Sequence, residues 1–330
     1  MRGGGAGAVL AALGLLAAVG LTGCSGSGQG DGADASPSAA AGFAIDQDFA
    51  DPSVLVDGGT AYAFATNTPG FTIRAATSTN MTSWKLSDTD PLPVLPSWAQ
   101  SGKTWAPGVA RVSDGHYVMY ITATDASSGR QCIGTAVSST PGGPYAPPSG
   151  PAGAAPLVCP VDAGGAIDAS TFRDDDGRLS LVWKTDGNCC GLDTWIELAP
   201  LSADGLSLAG PTSRLMKQTE SWQGALVEAP VIVKRGGQYV LFYSANDYGT
   251  DQYAMGTALS PTLTGSYAAS SSPFLSSASS KGRYIGPGGQ DVVTFDGRDW
   301  LVFHSWDEAY SYRGMVVRPL NWDGATPALG

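Results

Sequence analysis

Positive charge is what this sequence has least of. Its 18 Lys and Arg face 29 Asp and Glu, a formal net charge of −11 over 330 residues, and there are only two His. Phosphate backbones are gripped by clustered Lys and Arg, so nucleic acid is excluded as a partner. Helical periodicity is missing too: no long segment sets apolar residues at i, i+3, i+4 spacing, which excludes a helical fold. None of the five Cys forms a Cys-X-X-Cys motif, so redox catalysis of that kind is excluded. The N-terminal apolar run, MRGGGAGAVLAALGLLAAVGLTGC, has one cation, Arg2, and is too short to span a bilayer comfortably.

That run ends in Leu21-Thr22-Gly23-Cys24, small residues before a Cys, which resembles a bacterial lipobox. The expectation is a signal peptide over 1–23, a lipidated Cys24 that attaches the chain to the outer face of the membrane, and a tether over 24–42. An ordinary secretory signal with a chance Cys is the alternative. The tract SGSGQGDGADASPSAAAG that follows lacks bulky apolar residues, as flexible tethers do. Residues 43–330 remain, a length normal for one all-β domain, expected to be monomeric. Export permits disulfides among Cys132, Cys159, Cys189 and Cys190; Cys132–Cys159 is the expected bond, and loop clamping the expected role.

Short β-branched and aromatic runs alternate with Gly, Asp, Asn and Pro clusters. The runs recur: DPSVLVDGGTAYAFAT from 51, APGVARVSDGHYVMYIT from 106, DASTFRDDDGRLSLVWK from 168, APVIVKRGGQYVLFYS from 229 and QDVVTFDGRDWLVFHS from 290. Each is a strand, a tight turn and an aromatic-rich strand. A third strand follows each, and most copies add an aromatic after it: Trp84, Tyr145, Tyr267 and Trp322, with none in the third copy. One meander cannot bury both its faces, but meanders set radially can, so the chain reads as an all-β, five-bladed β-propeller.

In a propeller the inner strands start around one axis. Asp51, Asp168 and Glu228 stand at three such starts and are expected to converge on a central pocket. The loops on that face, among them TDGNCCGLD, ANDYGTDQ and SWDEAYSYR, interleave polar groups with aromatics, as sugar binding requires. A pair of carboxylates is the minimal equipment for glycoside hydrolysis, one protonated to serve the leaving oxygen and one ionised to activate water. Like charge and burial raise one pKa and leave another low. Taken alone, each acid also fits a turn or a strand-entrance cap.

DPSVL at 51, WAPGV at 105, IDASTF at 167, VEAPVI at 227 and GPGGQDVV at 286 span all the blades and together resemble glycoside hydrolase family 43, whose members act on arabinose- and xylose-containing glycans. The resemblance implies an inverting hydrolase with Asp51 as general base, Glu228 as general acid, and Asp168 orienting Glu228 and raising its pKa. Its expected activity is removal of α-L-arabinofuranosyl units from plant arabinan or arabinoxylan; a β-xylosidase is the alternative, and a non-catalytic sugar-binding propeller the reading from another class. Fructan-cleaving five-bladed relatives fit poorly, since their Asn-Asp-Pro-Asn, Arg-Asp-Pro and Glu-Cys stretches are absent. Many family members carry His after Gly-Pro-Gly in blade five, near a channel cation; here Gly289-Gln290 follows, which puts a structural calcium in doubt, and no cofactor is expected.

Phe49, Trp105 and Trp222 are candidates to stack on or wall the sugar, and Arg283 to bond its hydroxyls. Gln290 either lines the axial site or begins its strand. His304 either contacts sugar or is packed. His116 and the acidic run at 174–176 lie at turns on the opposite face.

Overall fold

The computed structural model describes residues 42–330. Cys24 and the expected signal peptide and tether, up to residue 41, lie outside the described residues. Five antiparallel sheets follow one another along the chain. Blade one is β1 (Ser53–Asp57), β2 (Thr60–Ala65), β3 (Arg74–Ser78) and β4 (Lys85–Leu86); blade two is β5 (Ala99–Ser113), β6 (His116–Asp125) and β7 (Gln131–Ser138). Blade three is β8 (Ala166–Arg173), β9 (Leu179–Thr185), β10 (Trp195–Pro200) and β11 (Ser213–Lys217). Blade four is β12 (Val227–Arg235), β13 (Gln238–Ala245), β14 (Ala254–Ser260) and β15 (Ala268–Ala269); blade five is β16 (Ile285–Phe295), β17 (Arg298–Trp306), β18 (Arg313–Asp323) and β19 (Thr326–Leu329). Strand order follows chain order, so this is the expected propeller.

Blade two has three strands and the other blades four. In blade two Tyr145 is buried beside a lone Val137–Ala146 bridge, whereas β11 completes blade three without an aromatic. Tight turns join the inner strand pairs, as between Asp57 and Thr60. The acidic run at 174–176 is the β8–β9 turn, with Asp174 and Asp175 paired to Lys234. His116 meets the carbonyl of Asp204 there.

The core is not one mass but a set of interblade layers. Phe172, Val182, Ile232 and Leu241 join blades three and four, while Val240, Phe242, Leu301 and Phe303 join blades four and five. Second strands therefore bury both faces: every residue of β9 is buried, including Lys184. The ring closes where Ile45 pairs with Met315 and the Phe49 N–H bonds the Arg313 carbonyl at 2.9 Å. Interblade contact is close enough that a Cβ on Gly108 would lie 2.2 Å from the Ala169 carbonyl oxygen. Backbone cannot step aside as a side chain can, so Gly108→Ala is expected to cost about 1–3 kcal/mol, read as a melting temperature lowered by several degrees.

Candidate active site

A backbone feature repeated in every blade frames the axis. One residue has positive φ just before the inner strand of blade one or at a register break within the inner strands of the others: Asp51 (53°), Ala106 (39°), Asp168 (59°), Ala229 (50°) and Gly289 (56°). Left-handed backbone costs a residue with a Cβ about 1–2 kcal/mol, and it recurs here because the chain must turn from the active face onto the axis. The residues that follow, Pro52, Pro107, Ala169, Pro230 and Gln290, line the narrow axial channel. This register corrects the sequence reading in one respect. Asp51 and Asp168 are equivalent, but their counterpart in blade four is Ala229; Glu228, one residue earlier, is an addition to the repeat.

Asp51, Asp168 and Glu228 line one cavity of about 580 Å3 on the active face. Asp51 Oδ2 accepts the Thr66 hydroxyl hydrogen at 2.8 Å, and Arg313 Nη1 stands 3.5 Å from Oδ1. Burial acts to raise the Asp51 pKa, but Arg313 and His304 outweigh it and hold the carboxyl well below the usual range. Arg313 is itself set between Tyr248 and Trp306, 4.9 and 5.8 Å from the ring centres.

Glu228 is held at both oxygens. Lys184 Nζ lies 3.1 Å from Oε2, and the Tyr253 hydroxyl donates to Oε1 at 2.7 Å. Lys184 is fully buried; desolvation opposes its charge, but Glu228, Asp168 and Asp186 outweigh it and raise its pKa. Burial, then the Glu228 charge, push Asp168 well above the carboxylate range. Its Oδ2 accepts the Ala229 N–H at 2.9 Å, so it fixes the backbone next to Glu228 rather than the side chain itself. Tyr253 links the two halves: its hydroxyl is on Glu228 and its ring stacks on His304 at 5.9 Å.

The secondary candidates divide. Trp105 lines the cavity. Phe49 does not: it is wholly buried between blades five and one, because the closing strand pairing turns its side chain inward, and no ring face is left for a sugar. Trp222 stacks on Tyr243 and lines a neighbouring groove with Asn246 and Gln252 instead. Arg283 packs over Tyr284, away from the acids. Gln290 is in the axial channel, its amide donating to the Ala229 carbonyl at 2.7 Å and accepting from the Ser244 hydroxyl at 2.8 Å. His304 is fully buried and cannot meet sugar; its Nδ1 accepts the Asp51 N–H at 3.1 Å. The same Nδ1 stands 3.2 Å from Asp51 Oδ1, and desolvation, then Arg313, lower the His304 pKa. A Cβ on Gly289 would fall 2.5 Å from Asp51 Oδ1, so only glycine lets His304 and Asp51 meet.

Sequence reasoning missed Lys184, Tyr253, Arg313, Thr66 and Asp186. One signal was present for Lys184: a charge inside the otherwise apolar run LSLVWKT. The expected Cys132–Cys159 disulfide is formed, and a second joins Cys189 to Cys190 at the cavity edge.

The sequence profile described as Glycosyl hydrolases family 43 matches residues 44–327. The extracellular exo-alpha-(1->5)-L-arabinofuranosidase ArbA of Cellvibrio japonicus is 28% identical over 304 residues, covering 84% of this chain and 84% of that protein. A crystal structure of a thermostable family-43 glycoside hydrolase aligns with a TM-score of 0.73 at 25% identity, over 86% of this chain and 93% of its own. That of an endo-1,4-beta-xylanase from Bacteroides thetaiotaomicron aligns with a TM-score of 0.72 at 26% identity, over 87% and 96% respectively.

Proposed function

The chain belongs to glycosyl hydrolase family 43 and is a glycoside hydrolase, and from that premise we propose that it removes terminal α-L-arabinofuranosyl units from arabinan or arabinoxylan with inversion. The observation that carries the reading is the opposed electrostatics of acids lining one cavity: Asp51 is kept ionised beside Arg313, while Asp168, next to Glu228, is pushed to hold a proton.

Asp51 takes a proton from water as that water attacks the anomeric carbon. Glu228 gives its proton to the leaving glycosidic oxygen on the opposite side, an arrangement that inverts when the carboxyls stand ~6.5–9.5 Å apart. Asp168 keeps a proton within the pair it forms with Glu228 and holds the Ala229 N–H. Tyr253 and Lys184 fix the carboxyl plane of Glu228, and the same lysine stabilises the carboxylate left after proton transfer. Trp105 walls the pocket. A non-catalytic sugar-binding role leaves this arrangement without a purpose, since binding hydroxyls needs no buried acid with a raised pKa.

We assign no cation to the axial channel. Calcium takes six to eight oxygen ligands. Gln290 has both ends of its amide engaged, and His304 has its Nδ1 taken by Asp51. Asp51 is likewise engaged, by Thr66 and Arg313.

The α-1,5-arabinan substrate follows the activity in the name of the Cellvibrio relative, and export follows the word extracellular in that name together with the lipobox-like Cys24. A β-xylosidase is the second reading, favoured by the likeness to the xylanase structure. The test is a product assay on arabinan, arabinoxylan and xylan with NMR of the first-formed anomer. L-Arabinose of inverted configuration is expected; xylose as the main product, or a retained anomer, overturns the reading.

A further inference from the structure

Cys189 and Cys190 are adjacent residues joined by a disulfide, in an exposed turn of blade three that follows Asp186. A disulfide stabilises a fold chiefly by closing a loop in the unfolded chain. Cys132–Cys159 closes such a loop, with a separation of 27 residues; Cys189–Cys190, with a separation of 1, closes none. The clamping role expected from the sequence therefore suits the first bond and fails for the second, which calls for a local reason.

The turn supplies one. Asn188 and Cys189 line the same cavity as the three acids, at its open edge, whereas Lys184 and Glu228 form its buried floor. Gly187 is packed so that a Cβ would lie 2.2 Å from the Asp193 carbonyl oxygen, and Gly191 closes the turn in left-handed conformation at φ 71°. Behind the sulfurs stands Arg130, its Nη1 2.6 Å from Cys190 Sγ and 3.4 Å from Cys189 Sγ. The result is a polarizable sulfur surface fixed in a tight turn, in a loop whose other side chains, apart from the exposed Leu192, are polar. Sugar C–H faces seek surfaces of that kind, and sulfur provides dispersion contact without competing for hydroxyls.

We propose that the Cys189–Cys190 disulfide is part of the substrate-binding wall, taking the C–H face of the sugar on the leaving side of the scissile bond. The inference rests on the terminal-unit reading above: the floor holds the unit to be released, and the rim touches the next one.

Two probes separate the floor from the rim, α-1,5-arabinotriose as substrate and free L-arabinose as competitive inhibitor. In the Cys189→Ala/Cys190→Ala variant the KM for arabinotriose is expected to rise about fivefold, the size of a lost face contact, with kcat within about twofold and the Ki of arabinose unchanged. Wild-type enzyme treated with dithiothreitol should show the same KM rise and recover on reoxidation. The reagent supplies two electrons and two protons to the disulfide and leaves as its own cyclic disulfide. Alkylation and peptide mapping identify the bond reduced; Cys132 is fully buried and expected to resist. This arm reads the proposal even where the double variant fails to fold. An unchanged KM overturns it, as does a Ki that rises in step with KM, which would mark general loosening of the site. Should the wild type cleave xylotriose and not arabinotriose, the arabinan reading fails by itself, and the same comparison with xylotriose and xylose decides the role of the disulfide.

Discussion

Asp51→Asn is expected to lower kcat on arabino-oligosaccharides by roughly three orders of magnitude, with KM changed by no more than about threefold. The side chains match in shape, and the amide oxygen still accepts the Thr66 hydroxyl hydrogen. What is lost is the capacity to take a proton from the attacking water. The left-handed backbone at this position tolerates Asn, so the turn onto the axis survives. Arg313 loses a charge partner but keeps its place between Tyr248 and Trp306.

A pH profile makes the assignment sharper. A general base works only when ionised, so activity is lost as pH falls through its pKa. Arg313 and His304 overcome the effect of burial and hold Asp51 below the usual carboxylate range. The wild-type kcat/KM should thus remain level on descent through pH ~4, where an unperturbed Asp begins to protonate. Replacing the cation, in Arg313→Met, should move that acid limb upward. A variant Asp51→Asn within tenfold of wild-type activity would mean that another group activates the water.

The extent to which this site could be read in the sequence follows from where each residue sits in a blade. Inner strands repeat with a recognisable start, so Asp51 and Asp168 stood out, and Glu228 was found despite being displaced by one position. Lys184, Tyr253 and Arg313 come from β9, the β13–β14 loop and β18. Apart from the lone charge in the apolar run of β9, nothing local marks these as facing the axis; only the closed ring brings them there. Phe49 failed for the converse reason. Its neighbours in sequence suggested the pocket, but ring closure against β18 committed its side chain to the core. The adjacent cysteines were legible as exported thiols, but their bond to each other was not, because four cysteines permit three pairings and composition ranks none of them.

Glu228→Gln is expected to divide substrates by leaving group. Arabino-oligosaccharides depart as alkoxides unless protonated, so their turnover should fall roughly 10³-fold. Nitrophenyl arabinofuranoside leaves as a stabilised phenolate and should lose no more than about tenfold, because little proton transfer is needed in its transition state. The glutamine can keep the Tyr253 and Lys184 contacts in altered form, and Lys184 retains Asp186 at 3.6 Å, so no buried charge is stranded. The pH dependence has the sign opposite to that of Asp51. A general acid must be protonated, so activity is lost as pH rises. Burial, then the Glu228 charge, raise Asp168, so the proton that the two acids share is lost only as pH rises well above the ordinary carboxylate range. In the variant that limb should vanish for the nitrophenyl substrate, since its mechanism no longer draws on a proton from the pair. Equal losses on both substrates, with the limb retained, would assign the proton donor to another residue and leave Glu228 as a ligand for sugar.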